Sequence, residues 1–105
     1  MNRKLLFTAT ADAQLTALEK NAAEAGTLKQ VRKTLKLLEA DTRHPGLHTH
    51  EYDSLEGTRG ERVWEAYAQN KTPGAYRVFF HYGPDVEVDG KRLPTLTVVA
   101  ITPHP

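Results

Sequence analysis

Nine residues, Gly74-Ala75-Tyr76-Arg77-Val78-Phe79-Phe80-His81-Tyr82, constrain the fold more than any other stretch of the chain. Aromatic and β-branched side chains dominate, so the segment predicts a strand. Alternate side chains of a strand point to opposite faces. Tyr76, Val78, Phe80 and Tyr82 make one face, a plain core face. Ala75, Arg77, Phe79 and His81 make the other, which mixes apolar bulk with an arginine and a titratable imidazole. A strand of this kind demands a hydrophobic layer on one side. It leaves open whether the other side is merely solvated or is a working surface.

The rest of the chain supplies that layer. Lys4 to Thr8 predicts a short first strand. Ala11 to roughly Ala25 is rich in good helix formers, with Leu15, Leu18 and Ala22 at helical spacing. Gly26 is expected to stop this helix and Thr27 to cap the next. Thr27 to Ala40 is the clearest helix, with Leu28, Val31, Leu35 and Leu38 in one stripe. Asp41 to Ser54 reads as a loop holding His44, His48 and His50, and Leu55-Glu56-Gly57 leads into a turn. Glu61 to Ala68 predicts a strand, Gln69 to Pro73 a connection, and Thr95 to Thr102 a final strand. Asp89-Gly90 is a strong hairpin signal, and Val86 and Val88 are expected to lengthen the strands beside it.

This order predicts an α+β two-layer sandwich, β-α-α-β-β-β, with an N-terminal helical hairpin on one face of a mainly antiparallel sheet. The other face is expected to be open. The uncharged Trp64 and Ala66 suit the core, which places Glu65 and Tyr67 beside Arg77 on that open face.

Composition narrows the function. With 105 residues the chain reads as one domain over 1–105, and 39% hydrophobic with 26% charged residues is ordinary for a globular protein. A net charge of +1 and pI of about 8.1 do not by themselves announce a nucleic-acid partner. The absence of cysteine excludes disulfides, thiolate metal sites and thiol catalysis, and suits a reducing cytoplasm. No apolar run has the length of a membrane helix, and the opening residues are too short a run for a signal peptide.

The chemistry concentrates on the Arg77 face. Arg77 offers a planar set of donors suited to phosphate. Tyr67 or Phe79 could stack a base. His81 and His104 titrate near neutrality and are acid–base candidates. A base, a cation and an acid are what cleavage of a phosphodiester by its own 2′-hydroxyl needs, with no metal or other cofactor. Each residue has a plainer reading as a solvated side chain, and His104 as a tail residue. His44, His48 and His50 have metal-ligand spacing, but a Pro-Gly loop gives no frame to align them, so no metal is expected. Lys29, Arg32, Lys33 and Lys36 form a basic helix stripe. With Arg62 they are the candidate contacts for an RNA backbone, or, in the plainer reading, a solvated face.

Four segments, taken in order, resemble the RelE/ParE toxin superfamily of toxin–antitoxin systems. Leu55-Glu56-Gly57 resembles its Leu-x-Gly turn. Val63-Trp64-Glu65-Ala66-Tyr67 is similar to its "lwElR" strand and Gly74–Phe80 to its "gxYRvxY" strand. Leu96 to His104 resembles the last strand and its basic end. The resemblance implies a metal-independent endoribonuclease that cleaves mRNA on the ribosome. Arg77 would contact phosphate and the transition state, and His104 would transfer a proton. Glu51, before the Leu-x-Gly turn, is the nearest match to a base. Glu65, Tyr67 and His81 are secondary candidates. A cognate antitoxin and the ribosome with its mRNA are the implied partners, and the cytoplasm the implied location. Tyr67 stands where the family often has arginine, and the chain is near neutral where ribosome-directed members are strongly basic. These departures leave a second reading, a non-catalytic protein of the same fold, either gyrase-inhibiting or inactive.

Overall fold

The two core-facing patterns meet as their spacing requires. In the computed structural model, which describes residues 2–70 and 73–104, helix α2 (Ala25–Ala40) buries Val31, Leu35 and Leu38. They pack on Ala66, Val78, Phe80, Leu96, Val98 and Ile101 of the sheet. Helix α1 (Ala9–Glu19) adds Ala11 and Leu18 to the same layer. Its N-cap is Thr8, whose hydroxyl accepts from the Ala11 N–H at 3.1 Å and donates to the Val99 carbonyl at 3.1 Å.

The main sheet has five strands: β1 (Lys4–Phe7), β2 (His50–Glu56), β3 (Arg62–Tyr67), β4 (Tyr76–Tyr82) and a last strand, Thr95–Pro103. Between β4 and that strand lies a separate two-stranded hairpin, β5 (Val86–Val88) and β6 (Lys91–Leu93), so the last strand is β7. The sheet order is β1-β7-β4-β3-β2. β1 runs parallel to β7 and every other pairing is antiparallel. The fold class is the expected one, an α+β sandwich with both helices on one face.

The register between β3 and β4 is Trp64↔Phe80, Glu65↔Phe79, Ala66↔Val78 and Tyr67↔Arg77. Trp64 and Ala66 therefore share the helical face, and Glu65 and Tyr67 lie with Arg77 on the other. β7 carries a bulge. Phe79 pairs with Ala100 and Phe80 with Val98, leaving Val99 as the extra residue.

Four expectations need correction. The helix break falls earlier than Gly26: Asn21 is extended and its side chain accepts from the Ala23 N–H at 3.1 Å. That cap ends α1 and starts a short 3₁₀ turn. Gly26 and Thr27 then sit inside α2. Residues 50–56 are an edge strand, not loop. Their side chains are mostly polar and exposed, and they are held by backbone pairing to β3, which leaves little hydrophobic period to read. Val86 and Val88 do not extend β4 or β7. Gly83 with Pro84, and Pro94, interrupt the ladder on both sides, and Asp89 (φ 51°) with Gly90 (φ 76°) closes the hairpin. Lys71 and Thr72 of the predicted Gln69–Pro73 connection lie outside the described residues.

The fourth correction concerns the sheet face away from the helices, which is not open. Glu65 is 1% exposed, Arg77 7%, Phe79 1% and His81 4%. The edge strand and the end of β7 cover it. The Tyr52 ring lies 4.8 Å from that of Phe79, and His50 and His104 both reach Glu65.

Candidate functional site

Gln69, just after β3, fixes the floor of the site. Its side chain donates to Thr27 Oγ1 (3.1 Å) and Gln30 Oε1 (2.9 Å) of α2 and accepts from the Tyr76 N–H (3.0 Å). Its own carbonyl is thereby held facing Arg77, whose Nη1 donates to it and to the Tyr76 carbonyl (3.3 Å). The guanidinium lies 3.7 Å from the centre of the Tyr67 ring, a cation–π stack. Among the described residues Nη2 makes no hydrogen bond, so this edge of the fork is available to an anion.

Glu65 is the hub. A buried carboxylate is costly unless it is paired. Its Oε2 is 3.8 Å from Arg77 Nε and 3.4 Å from His104 Nε2, and its Oε1 is 2.6 Å from His50 Nε2. Oε2 and Arg77 Nε are both buried without a hydrogen bond, although they face each other across the ion pair. Among the described residues these are the buried side-chain atoms left without a hydrogen bond, which sets the pair apart from the rest of the buried polar groups. His104 is no loose tail. Its main-chain N–H donates to the Ala75 carbonyl at 2.8 Å, and its ring is 44% exposed above Glu65.

Two histidines that the loop reading left unassigned belong here. His50, on β2, pairs with Glu65 in register and turns its ring to it. His48, left-handed at φ 48°, sets its ring 5.1 Å from that of Tyr67, and the His50 ring stands edge-on to Tyr67 at 5.8 Å. His44 instead accepts from the Gly46 N–H at 3.0 Å. The missed signal was the strand itself. Once β2 begins at His50, alternation sends His50 and Tyr52 to the Arg77 side.

Other candidates lie elsewhere. Glu51 pairs with Trp64, on the opposite face from His50, and binds Arg62 at 3.1 Å, so neither joins the cluster. Phe79 is buried against Tyr52 and presents no face to a base. His81 is four residues along β4 from Arg77, about 13 Å away. Its Nδ1–H donates to the Tyr82 carbonyl at 3.1 Å, and its Nε2 is 3.9 Å from Glu61. Hydrogen bonds from the N–H groups of Glu61 itself and of Arg59 hold the Glu61 carboxyl below its usual value, against a smaller effect of burial, and the charges of His81 and Arg59 add to this. On α2, Arg32 is tied to Glu19 at 2.9 Å. Lys29 and Lys33 border a groove of about 580 Å³ with Gln30 and Gln69. It adjoins one of about 370 Å³ where Lys33, Gln30, His44 and Tyr67 meet. Lys36 is exposed on α2 and borders neither groove.

The arrangement offers a fixed cation with a free edge, an aromatic ring, and two imidazoles on one buried carboxylate. The whole chain superposes on a solved structure, that of the YoeB dimer from Staphylococcus aureus. The TM-score is 0.62, the identity 10%, and 100% of both chains is covered. The fold is RelE-like. No family model matches the chain, and no curated protein matches it in sequence. Among the described residues, no helix is long and apolar enough to cross a membrane.

Proposed function

We propose that the chain is a RelE-like toxin, an endoribonuclease that cleaves mRNA on the ribosome without a metal. The observation that carries this reading is the meeting of Arg77 and His104 within 4 Å of one buried oxygen of Glu65. A RelE-like fold is one that endoribonuclease toxins use. The 2′-hydroxyl gives its proton to solvent water as its oxygen attacks phosphorus, and the bond to the 5′-oxygen breaks. Arg77 Nη2 neutralises the phosphorane, and His104, oriented by Glu65, protonates the leaving oxygen. Tyr67 borders the substrate path, and Lys29 and Lys33 line the grooves leading to it. A cognate antitoxin, the ribosome and a cytoplasmic location belong to the same proposal.

The test is expression of the wild type and Arg77→Ala. The wild type arrests growth and cuts mRNA in translating ribosomes, leaving 2′,3′-cyclic phosphate ends, and the variant does neither. The burial of Arg77 and the net charge of +1 favour the second reading, a non-catalytic gyrase inhibitor or inactive protein. Inhibited supercoiling with no cleavage by the wild type would establish it.

A further inference from the structure

The proton inventory of His50 carries more than its position. Its Nδ1 lies 2.8 Å from the His48 carbonyl oxygen. A carbonyl has no proton to give, so Nδ1 is the donor. In a neutral ring Nε2 then has only a lone pair. That nitrogen sits 2.6 Å from Glu65 Oε1, itself an acceptor when ionised. Two lone pairs do not hold each other at that distance, so a proton lies between them. The groups facing the pair are Arg77 from β4, His104 from the end of β7, Tyr67 from β3 and His48 from the approach to β2. The guanidinium, 3.8 Å from Oε2, favours Glu65 as the anion. That leaves the proton with the imidazole.

We infer that His50 is a positioning residue, held as an imidazolium between the His48 carbonyl and Glu65, and that its proton keeps Arg77 available to an anion. With His50 charged, Glu65 has a short hydrogen-bonded partner, and the longer contact to Arg77 leaves the guanidinium edge uncommitted. The local sum, Glu65 with Arg77 and His50, is then one net positive charge, which suits a phosphodiester. Without the proton the sum falls to zero. The His50 contact becomes repulsive, β2 loses its hold on Glu65, and Arg77 remains the buried carboxylate's one permanent cation. The link to catalysis rests on the endoribonuclease reading, whereas the placement of the proton does not.

The experiment has two arms on the full chain. Nitrogen NMR of the imidazole rings, with His50 assigned by its loss in His50→Gln, reads the proton directly. The expected result at neutral pH is both His50 nitrogens protonated and the Glu65 carboxyl carbon at the chemical shift of an ionised carboxylate. Inorganic phosphate titrations then follow Arg77 and His104. Wild-type affinity is expected to fall about tenfold as pH rises through the imidazole range, the loss of one charge-assisted contact. In His50→Gln the amide donates to Glu65 at every pH, so only the His104 ring and the phosphate itself still change charge, and its affinity should fall less with pH than the wild type's. A neutral His50 beside a protonated Glu65, or a pH profile unchanged in His50→Gln, overturns the inference. Absence of RNA cleavage with both arms as expected would instead remove the nuclease reading and leave the proton clamp standing.

Discussion

The Glu65–Arg77 contact makes a quantitative claim. Consider Arg77→Met, which keeps most of the side-chain volume and removes the charge. Glu65 is 1% exposed and Arg77 7%, so solvent cannot replace the lost partner. Breaking a buried pair by removing one member costs about 3–5 kcal/mol. The lower end applies here, because Nε and Oε2 are 3.8 Å apart without a hydrogen bond and His50 still holds Oε1. The stack on Tyr67 adds about 0.5–2 kcal/mol. Together, a loss of about 4 kcal/mol corresponds to a midpoint drop of roughly 16 °C in a domain of this size. Urea unfolding of the wild type, Arg77→Met, Glu65→Gln and the double variant closes a cycle. Glu65→Gln in the Arg77→Met background removes the stranded charge, so a coupling of about 1.5–3 kcal/mol is expected. A coupling below about 0.5 kcal/mol would refute the reasoning. It would mean that His50 and His104 alone satisfy the carboxylate and that Arg77 is not its counter-ion.

His104→Ala should abolish RNA cleavage by about 10²–10⁴-fold. The ring is 44% exposed and its main-chain bond to Ala75 survives, so unfolding in urea should move by less than about 1 kcal/mol. A large stability loss with cleavage retained would make it a structural residue. Glu61 has its carboxyl lowered in the folded state, so its contribution is present above the ordinary carboxylate range and is lost as pH falls through the folded value. The stability gap between wild type and Glu61→Gln should therefore be seen by urea unfolding at neutral pH and should close in acid. A gap that widens in acid would reverse the assignment.

What the chain discloses about itself depends on what each element is held by. The helical face of β4 was legible because Tyr76, Val78 and Phe80 alternate against an equally apolar partner, and Trp64 with Ala66 set the parity of β3. The stripe Leu28–Leu38 marked α2 for the same reason. β2 was hidden because backbone pairing holds it, and backbone hydrogen bonds have no side-chain signature. With β2 unseen, His50 and His48 stayed in a loop, and nothing showed that Glu51, the resemblance's nearest match to a base, points to the opposite face. Alternation also says which face a side chain is on but not what lies above it. Arg77 and Phe79 were therefore assigned to the correct side and to the wrong environment.

The surplus residue in β7 works as a phase shifter. Leu96 and Val98 have even numbers and face the helices, while Ile101, an odd one, faces them too. Past Val99 the parity of the strand is inverted, and Thr102 and His104 emerge on the far side with Arg77. Were Val99 paired in regular alternation instead of bulged, the same imidazole would be sent toward the helices. The meeting of His104 and Arg77 is thus owed to a counting irregularity as much as to the identity of either residue.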